Sequence, residues 1–313
     1  MTDRIIAVGF NTAPAEGNLP RLDARLAEMV EMGCTGAEVT MVGLDAVTAC
    51  QLVPERVAEL RAVMSRHDLA YSMHAPIAIN LMDEAHADLM RRAAMVSMEL
   101  AAETGARVVV LHPGRVAPKD WIDNRHALLQ FELDQLGPIA DRAAELGVKI
   151  AYENISPNAR IIAGLETSYS LDPRLLAEQL QRLSHDAVVA CLDISHAQQG
   201  AVLWGFDMID ACEALAPWIG HIHFSDSTGQ PLDFPTTHPG EKHFFGAGDM
   251  HAPPGYGVVD FEALARRLPL RPDTRVVIEI KRNFHVHSDA ATLTAAKDFA
   301  QIVNAETIQG AAA

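Results

Sequence analysis

The chain alternates between short apolar runs and longer stretches whose apolar residues recur at helical spacing. The runs fall at 4–10 (RIIAVGF), 36–40 (GAEVT), 70–74 (AYSMH), 107–112 (RVVVLH), 148–153 (VKIAYE), 187–193 (AVVACLD), 220–224 (GHIHF) and 275–280 (RVVIEI). Between and after them lie expected helices at 22–32, 54–67, 84–104, 124–146, 173–183, 206–215, 261–267 and 289–303. Pro54 opens one of these, while Gly105 and Gly147 close two others; proline favours the first helical position and glycine the one just past the last. The runs are rich in β-branched residues and lack clean polar alternation, as expected of parallel strands covered on both faces. Eight strand–helix units, repeating about every 35–40 residues, predict a closed (β/α)8 TIM barrel. A single domain over 1–313 is expected, with a core at 4–303 and a frayed tail at 304–313. A doubly wound open sheet would carry a phosphate-binding glycine fingerprint, and neither GxGxxG nor GxxxxGK[ST] occurs.

The residues that end the later runs are His74, His112, Glu153, Asp193, His223 and Glu279. In such a barrel the strand ends and the loops that follow them form the active-site face, so six consecutive strands deliver imidazoles and carboxylates to one rim. Two loops add more. His196 follows Asp193 in D-x-x-H spacing, and GDMHAPPGYG in the long loop at 225–258 offers Asp249 and His251. Carboxylates and imidazoles without thiolates suit Zn²⁺, with Mn²⁺ or Fe²⁺ as alternatives. Nine such groups exceed the roughly four to six ligands of one ion, which implies a cluster of two or three with a carboxylate such as Glu153 or Glu279 bridging.

Composition changes the picture in two places. Hydrophobic residues make up 49% and charged residues 21% of the chain, enough apolar surface for a large core. A net charge of −16 disfavours gripping a polyanion over a broad surface, although bound cations can invert the sign locally. Cys34, Cys50, Cys191 and Cys212 show no ligand spacing, MTDRIIAVGF lacks a signal-peptide core, and no run reaches membrane-spanning length. A reduced, cytoplasmic protein without membrane contact is expected; its oligomeric state is not legible.

The stretches SMHAPIAINL, VVLHPG, YEN, CLDISHA, HFSD, DMHAPPGYG and IEI, between about 70 and 280, resemble in order and register the endonuclease IV branch of the xylose isomerase-like TIM barrels. That resemblance implies three zinc ions. His74, His112 and Glu153 would hold the first, Glu153, Asp193, His223 and Glu279 the second, and His196, Asp249 and His251 the third. It also implies hydrolysis of a phosphoester by water activated at the metals, with Glu153 and Glu279 holding or orienting that water. The DNA-repair members insert a wedge after the first histidine and an arginine after strand two. Here those loops read HAPIA and TMVGL, without wedge or basic residue. A small or nucleotide-like substrate is therefore expected in place of duplex DNA. The alternative is a sugar or sugar-phosphate isomerase, epimerase or related dehydratase. The wider superfamily uses a set like Glu153, Asp193, His223 and Glu279 around one ion for proton transfer next to a carbonyl, with an imidazole like His196 binding substrate oxygens. Around the ligands, Lys281 and Arg282 are expected to anchor a substrate phosphate or carboxylate. Asn154 is expected to orient Glu153, and His221, one inward layer below His223, to support the site.

Overall fold

Alternation within each strand decides which side chains face the barrel axis. The computed structural model describes residues 3–238 and 240–310. Its barrel strands are β1 (Ile5–Asn11), β2 (Gly36–Thr40), β3 (Ala70–His74), β4 (Val108–Leu111), β5 (Lys149–Glu153), β6 (Val188–Asp193), β7 (Ile219–Phe224) and β8 (Thr274–Ile278). All pair in parallel and close in the order β1-β8-β7-β6-β5-β4-β3-β2, the expected TIM barrel. One face of these strands (Val109, Leu111, Ile150, Tyr152, Val188, Ala190, Leu192) joins the main core with the surrounding helices. The opposite face (Val108, Val110, Ala151, Val189, Cys191) forms a separate small cluster inside the barrel. Continuing the inward parity by one step reaches His112, Glu153 and Asp193. The same period that packs the interior therefore aims the polar strand ends over it.

Among the described residues the α-helices of six residues or more are α1 (Leu19–Glu31), α2 (Pro54–Met64), α3 (Ala87–Thr104), α4 (Pro118–Glu145), α5 (Pro173–Leu183), α6 (Ile194–Trp204), α7 (Met208–Leu215), α8 (Phe261–Arg266) and α9 (Arg282–Gly310). Three differ from the expected pattern for identifiable reasons. Helix α6 is new: the Asp193 side chain accepts the His196 backbone N–H at 2.7 Å, so the D-x-x-H stretch is a helix N-cap where a loop was expected. Helix α4 starts earlier than 124, with Pro118 in its first turn and Trp121 stacked on Tyr169 at 6.2 Å; the expected start coincides with a kink at Asn124. Helix α9 runs past the expected end at 303, since Asn304 Oδ1 accepts the backbone N–H groups of Arg4 and Ile5 and fastens it to β1. Of the tail expected to fray, residues 304–310 thus continue the helix, and 311–313 lie outside the described residues. Cys34, Cys191 and Cys212 are buried free thiols and Cys50 is half-buried and free. No helix among the described residues is long and apolar enough to cross a membrane.

Candidate metal centre

The strand ends converge. His74, Glu153 and Asp193 are the last residues of β3, β5 and β6, His223 is next to last in β7, and His112 and Glu279 directly follow β4 and β8. Register does the alignment: Asp193 pairs with His223 across β6–β7, and His223 with Val277 across β7–β8. Donor atoms come within 4.8 Å of one another in four overlapping groups, His74–His112–Glu153, Glu153–Asp193–His223–Glu279, Asp193–His196–His251 and, including a thiol that showed no ligand spacing in the sequence, Cys191–His221–His223. Asp249 Oδ1 completes the third, 2.7 Å from His251 Nε2 and 3.3 Å from His196 Nε2. All nine residues expected as ligands are therefore neighbours.

Glu153 stands at the centre. Its Oε2 lies 3.0 Å from His112 Nε2 and 3.4 Å from His74 Nε2, while its Oε1 faces His223 Nδ1 at 3.1 Å and His196 Nδ1 at 3.4 Å. The contacts to Oε2 are out of line for hydrogen bonds, so that buried oxygen and Asp193 Oδ2 have no donor. Buried carboxylate oxygens left bare of donors cost free energy unless a cation takes the place. Glu279 Oε2 meets His223 Nδ1 at 2.9 Å, and its Oε1 accepts Asn11 Nδ2 at 3.1 Å. The donor set and its bare oxygens fit divalent cations.

Without a cation, protons hold the cluster together. Burial pushes the Glu153 carboxyl up, but the imidazoles of His223 and His112 outweigh it and hold it well below the usual carboxylate range. Burial pushes His74 down, yet the charge of the adjacent Glu153 carboxylate carries it up to about 9. For His112 burial wins over Glu153, and its value falls. One imidazole of that pair thus favours the cation and the other the neutral ring.

Supporting contacts fix the rings. His196 Nδ1 bonds to the Asn154 carbonyl at 2.9 Å and His251 Nδ1 to the Glu279 carbonyl at 2.9 Å, leaving both Nε2 atoms facing each other at 3.0 Å. His251 holds a left-handed φ of +43°, strain of the kind found at functional positions. Asn154 does not orient Glu153 as expected. Its amide bridges the backbone N–H and C=O of Asp193, at 2.8 and 2.9 Å, because the two strands place it beside β6. His221 lies one layer down as expected. Neither it nor Asn154 lines the cavity above the cluster.

Two residues were not singled out from the sequence. Glu38, fully buried in β2, accepts His221 Nε2 at 2.9 Å and His223 Nε2 at 3.1 Å, with Ser72 Oγ at 3.2 Å. Burial pushes its carboxyl up, but His223 and His221 hold it well below its ordinary value. The signal was a lone carboxylate inside the apolar run GAEVT. Asp226, buried just past β7, accepts the backbone N–H groups of Ser227, Gly255, Gly257 and Val259, clamping both ends of the long loop that carries Asp249 and His251. A Cβ at Gly257 would stand 2.2 Å from Asp226 Oδ1 and 2.5 Å from the Ser227 backbone. Gly257→Ala is expected to cost about 1–3 kcal/mol by overpacking. Gly137→Ala on α4, with open space around it, should cost nothing; equal denaturation midpoints for the two variants would contradict the clamp.

A cavity of about 430 Å³ opens above the cluster, walled by Arg115, Lys242 and Lys281 among others. Lys281 is where a substrate anchor was expected, though its Nζ pairs with Asp249 Oδ2 at 3.0 Å. Arg282 is not: it lines a different cavity, of about 300 Å³. It is the first residue of α9, where successive side chains diverge by about 100°.

Comparison with known proteins follows the same lines. A protein described as D-tagatose 3-epimerase-like superposes with a TM-score of 0.70 at 22% identity, covering 96% of this chain and 99% of its own. A Thermus thermophilus protein soaked with zinc chloride superposes with a TM-score of 0.64 at 22% identity, over 95% and 98% of the two chains. Endonuclease IV from Thermus thermophilus gives 0.57 at 19% identity over 95% and 99%. L-ribulose 3-epimerase and D-psicose 3-epimerase reach 0.65 and 0.61, at 16% and 14% identity. At these identities the likeness is one of fold. No curated protein matches the sequence. The family model for the xylose isomerase-like TIM barrel matches residues 26–300, nearly the whole barrel just described, and the chain belongs to that family.

Proposed function

We propose that the cluster is a multi-metal centre that hydrolyses a phosphoester of a small substrate, as in the endonuclease IV branch but without its duplex. The observation that carries this reading is the sharing of Glu153, whose two oxygens face different pairs of imidazoles. In this reading His74, His112 and Glu153 hold one ion, Glu153, Asp193, His223 and Glu279 a second, and His196, Asp249 and His251 a third; zinc suits the ligands best. Such ions supply Lewis acidity and bring the pKa of water towards about 7. The chain's own part is positioning. Glu153 and Glu279 hold and orient the attacking water. Lys242, Lys281 and Arg115 offset the phosphoryl charge from the cavity wall. A cavity of about 430 Å³ suits a small ligand or a single nucleotide.

The epimerase names of several neighbours favour a second reading, and on fold likeness they favour it over endonuclease IV. There Glu153 and Glu279 flank one ion held with Asp193 and His223, and pass a proton at a carbon next to a carbonyl. Elemental analysis of protein purified without chelator separates the two. Two to three ions per chain, with turnover of small phosphodiesters, is the expected result. About one ion per chain, with deuterium exchange into a ketose in D₂O, would overturn it in favour of the epimerase. Zinc uptake should also release protons. His74 gives up its proton at about 9, so affinity should fall as pH drops below that value, and a flat profile between about pH 6 and 8 would count against His74 as a ligand.

A further inference from the structure

We propose that the second cavity is a separate binding site for a small oxyanion-bearing ligand with a compact apolar body. It lies where the β1–α1 loop meets the start of α9, and its volume is about 300 Å³. The chain is strongly acidic, with 25 Lys and Arg against 41 Asp and Glu, yet Arg21, Arg25 and Arg282 all line this one cavity. Arg25 is held in place by Glu28 at 3.2 Å and Asp289 at 2.9 Å. Among the described residues no ion pair is recorded for Arg21 or Arg282, and both are exposed. Two unneutralised guanidinium forks around a concave surface match phosphate or carboxylate geometry. Ala13, Pro14 and Leu22 supply the apolar part of the wall.

The cavity also touches the metal cluster. Asn11 lines it and donates to Glu279 Oε1 at 3.1 Å, while Glu279 lines the first cavity. A ligand that draws Asn11 towards itself removes a hydrogen bond from Glu279. Occupancy of the second site is thereby coupled to the charge and orientation of that carboxylate. The site stands on its own geometry and does not depend on which reaction the cluster performs.

The test is calorimetric titration of phenyl phosphate into the full-length protein, once in EDTA and once after zinc reloading. An isotherm that survives EDTA and weakens about tenfold or more in the Arg21→Gln/Arg282→Gln double variant is expected, since hydrogen bonds to charged groups are individually worth about that much. Inorganic phosphate, which lacks the apolar body, should bind more weakly at the same site. No binding in EDTA, or binding that the double variant leaves within about threefold, would overturn the proposal. Both arginines are exposed, so the variant's melting temperature should match that of the parent and serve as the folding control.

Discussion

Glu153→Gln is expected to reduce turnover by about 10³-fold or more while leaving the protein folded. The carboxylate serves two sets of imidazoles at once, His74 and His112 through Oε2 and His223 and His196 through Oε1. An amide keeps the shape but offers one oxygen, so one set must face an N–H₂ group that cannot ligate a cation. Metal content should fall together with activity, because the neutral side chain also removes the charge that the two proposed ions would share. Bound metal should drop by at least one ion per chain. Circular dichroism should match the parent, while the denaturation midpoint of the metal-free protein should fall, since the amide leaves the surrounding imidazoles without their buried counter-charge. A variant retaining activity within about tenfold and its full metal content would remove Glu153 from the centre of the mechanism.

The second large effect concerns Glu38, which lines neither of the two cavities described above. Glu38→Ala leaves the Nε2 atoms of His221 and His223 buried without an acceptor, next to imidazoles that the rest of the cluster keeps positively charged. Breaking a buried charged pair by removing one partner typically costs about 3–5 kcal/mol. Denaturation of the metal-free protein should register a loss of that size. Metal affinity should fall as well: with Nε2–H held by Glu38, the proton that His223 gives up to a metal is the one on Nδ1, which faces Glu153 and Glu279, and without Glu38 nothing selects that tautomer. Glu38→Gln keeps one acceptor and should lose less. A control at the exposed Glu59 should stay within about 0.5 kcal/mol. If Glu38→Ala costs no more than that control, the buried triad is not a strut of the barrel.

Much of this arrangement was legible in one dimension because strand period and barrel topology are both simple. An apolar run that ends on His, Glu or Asp has its last side chain at the rim, and the inward parity is set by the residues before it, as with Val108, Val110 and His112. Hence all nine expected ligands meet. What failed was local chemistry with two outlets. His196 read as part of a loop after Asp193, but an Asp at a strand end also N-caps a helix, and α6 starts there. Lys281 and Arg282 read as one anchor, but a helix begins between them and sends the arginine to a different cavity. Asn154 sits beside Glu153 in sequence and bonds to Asp193 on the next strand.

The chain alone determined the number of strand–helix units, the closed barrel, and the identity and order of the groups at its rim. These follow from hydrophobic period, turn residues and side-chain chemistry, all of which are local. Only the tertiary structure decided which groups share a neighbour: that Glu153 stands between two pairs of imidazoles, that Glu38 lies beneath them, and that Asn11 joins a second cavity to Glu279. Those relations connect residues as much as 268 positions apart. They depend on strand register, ring orientation and loop closure, and no periodicity along the chain encodes a distance between side chains that meet only when the barrel closes.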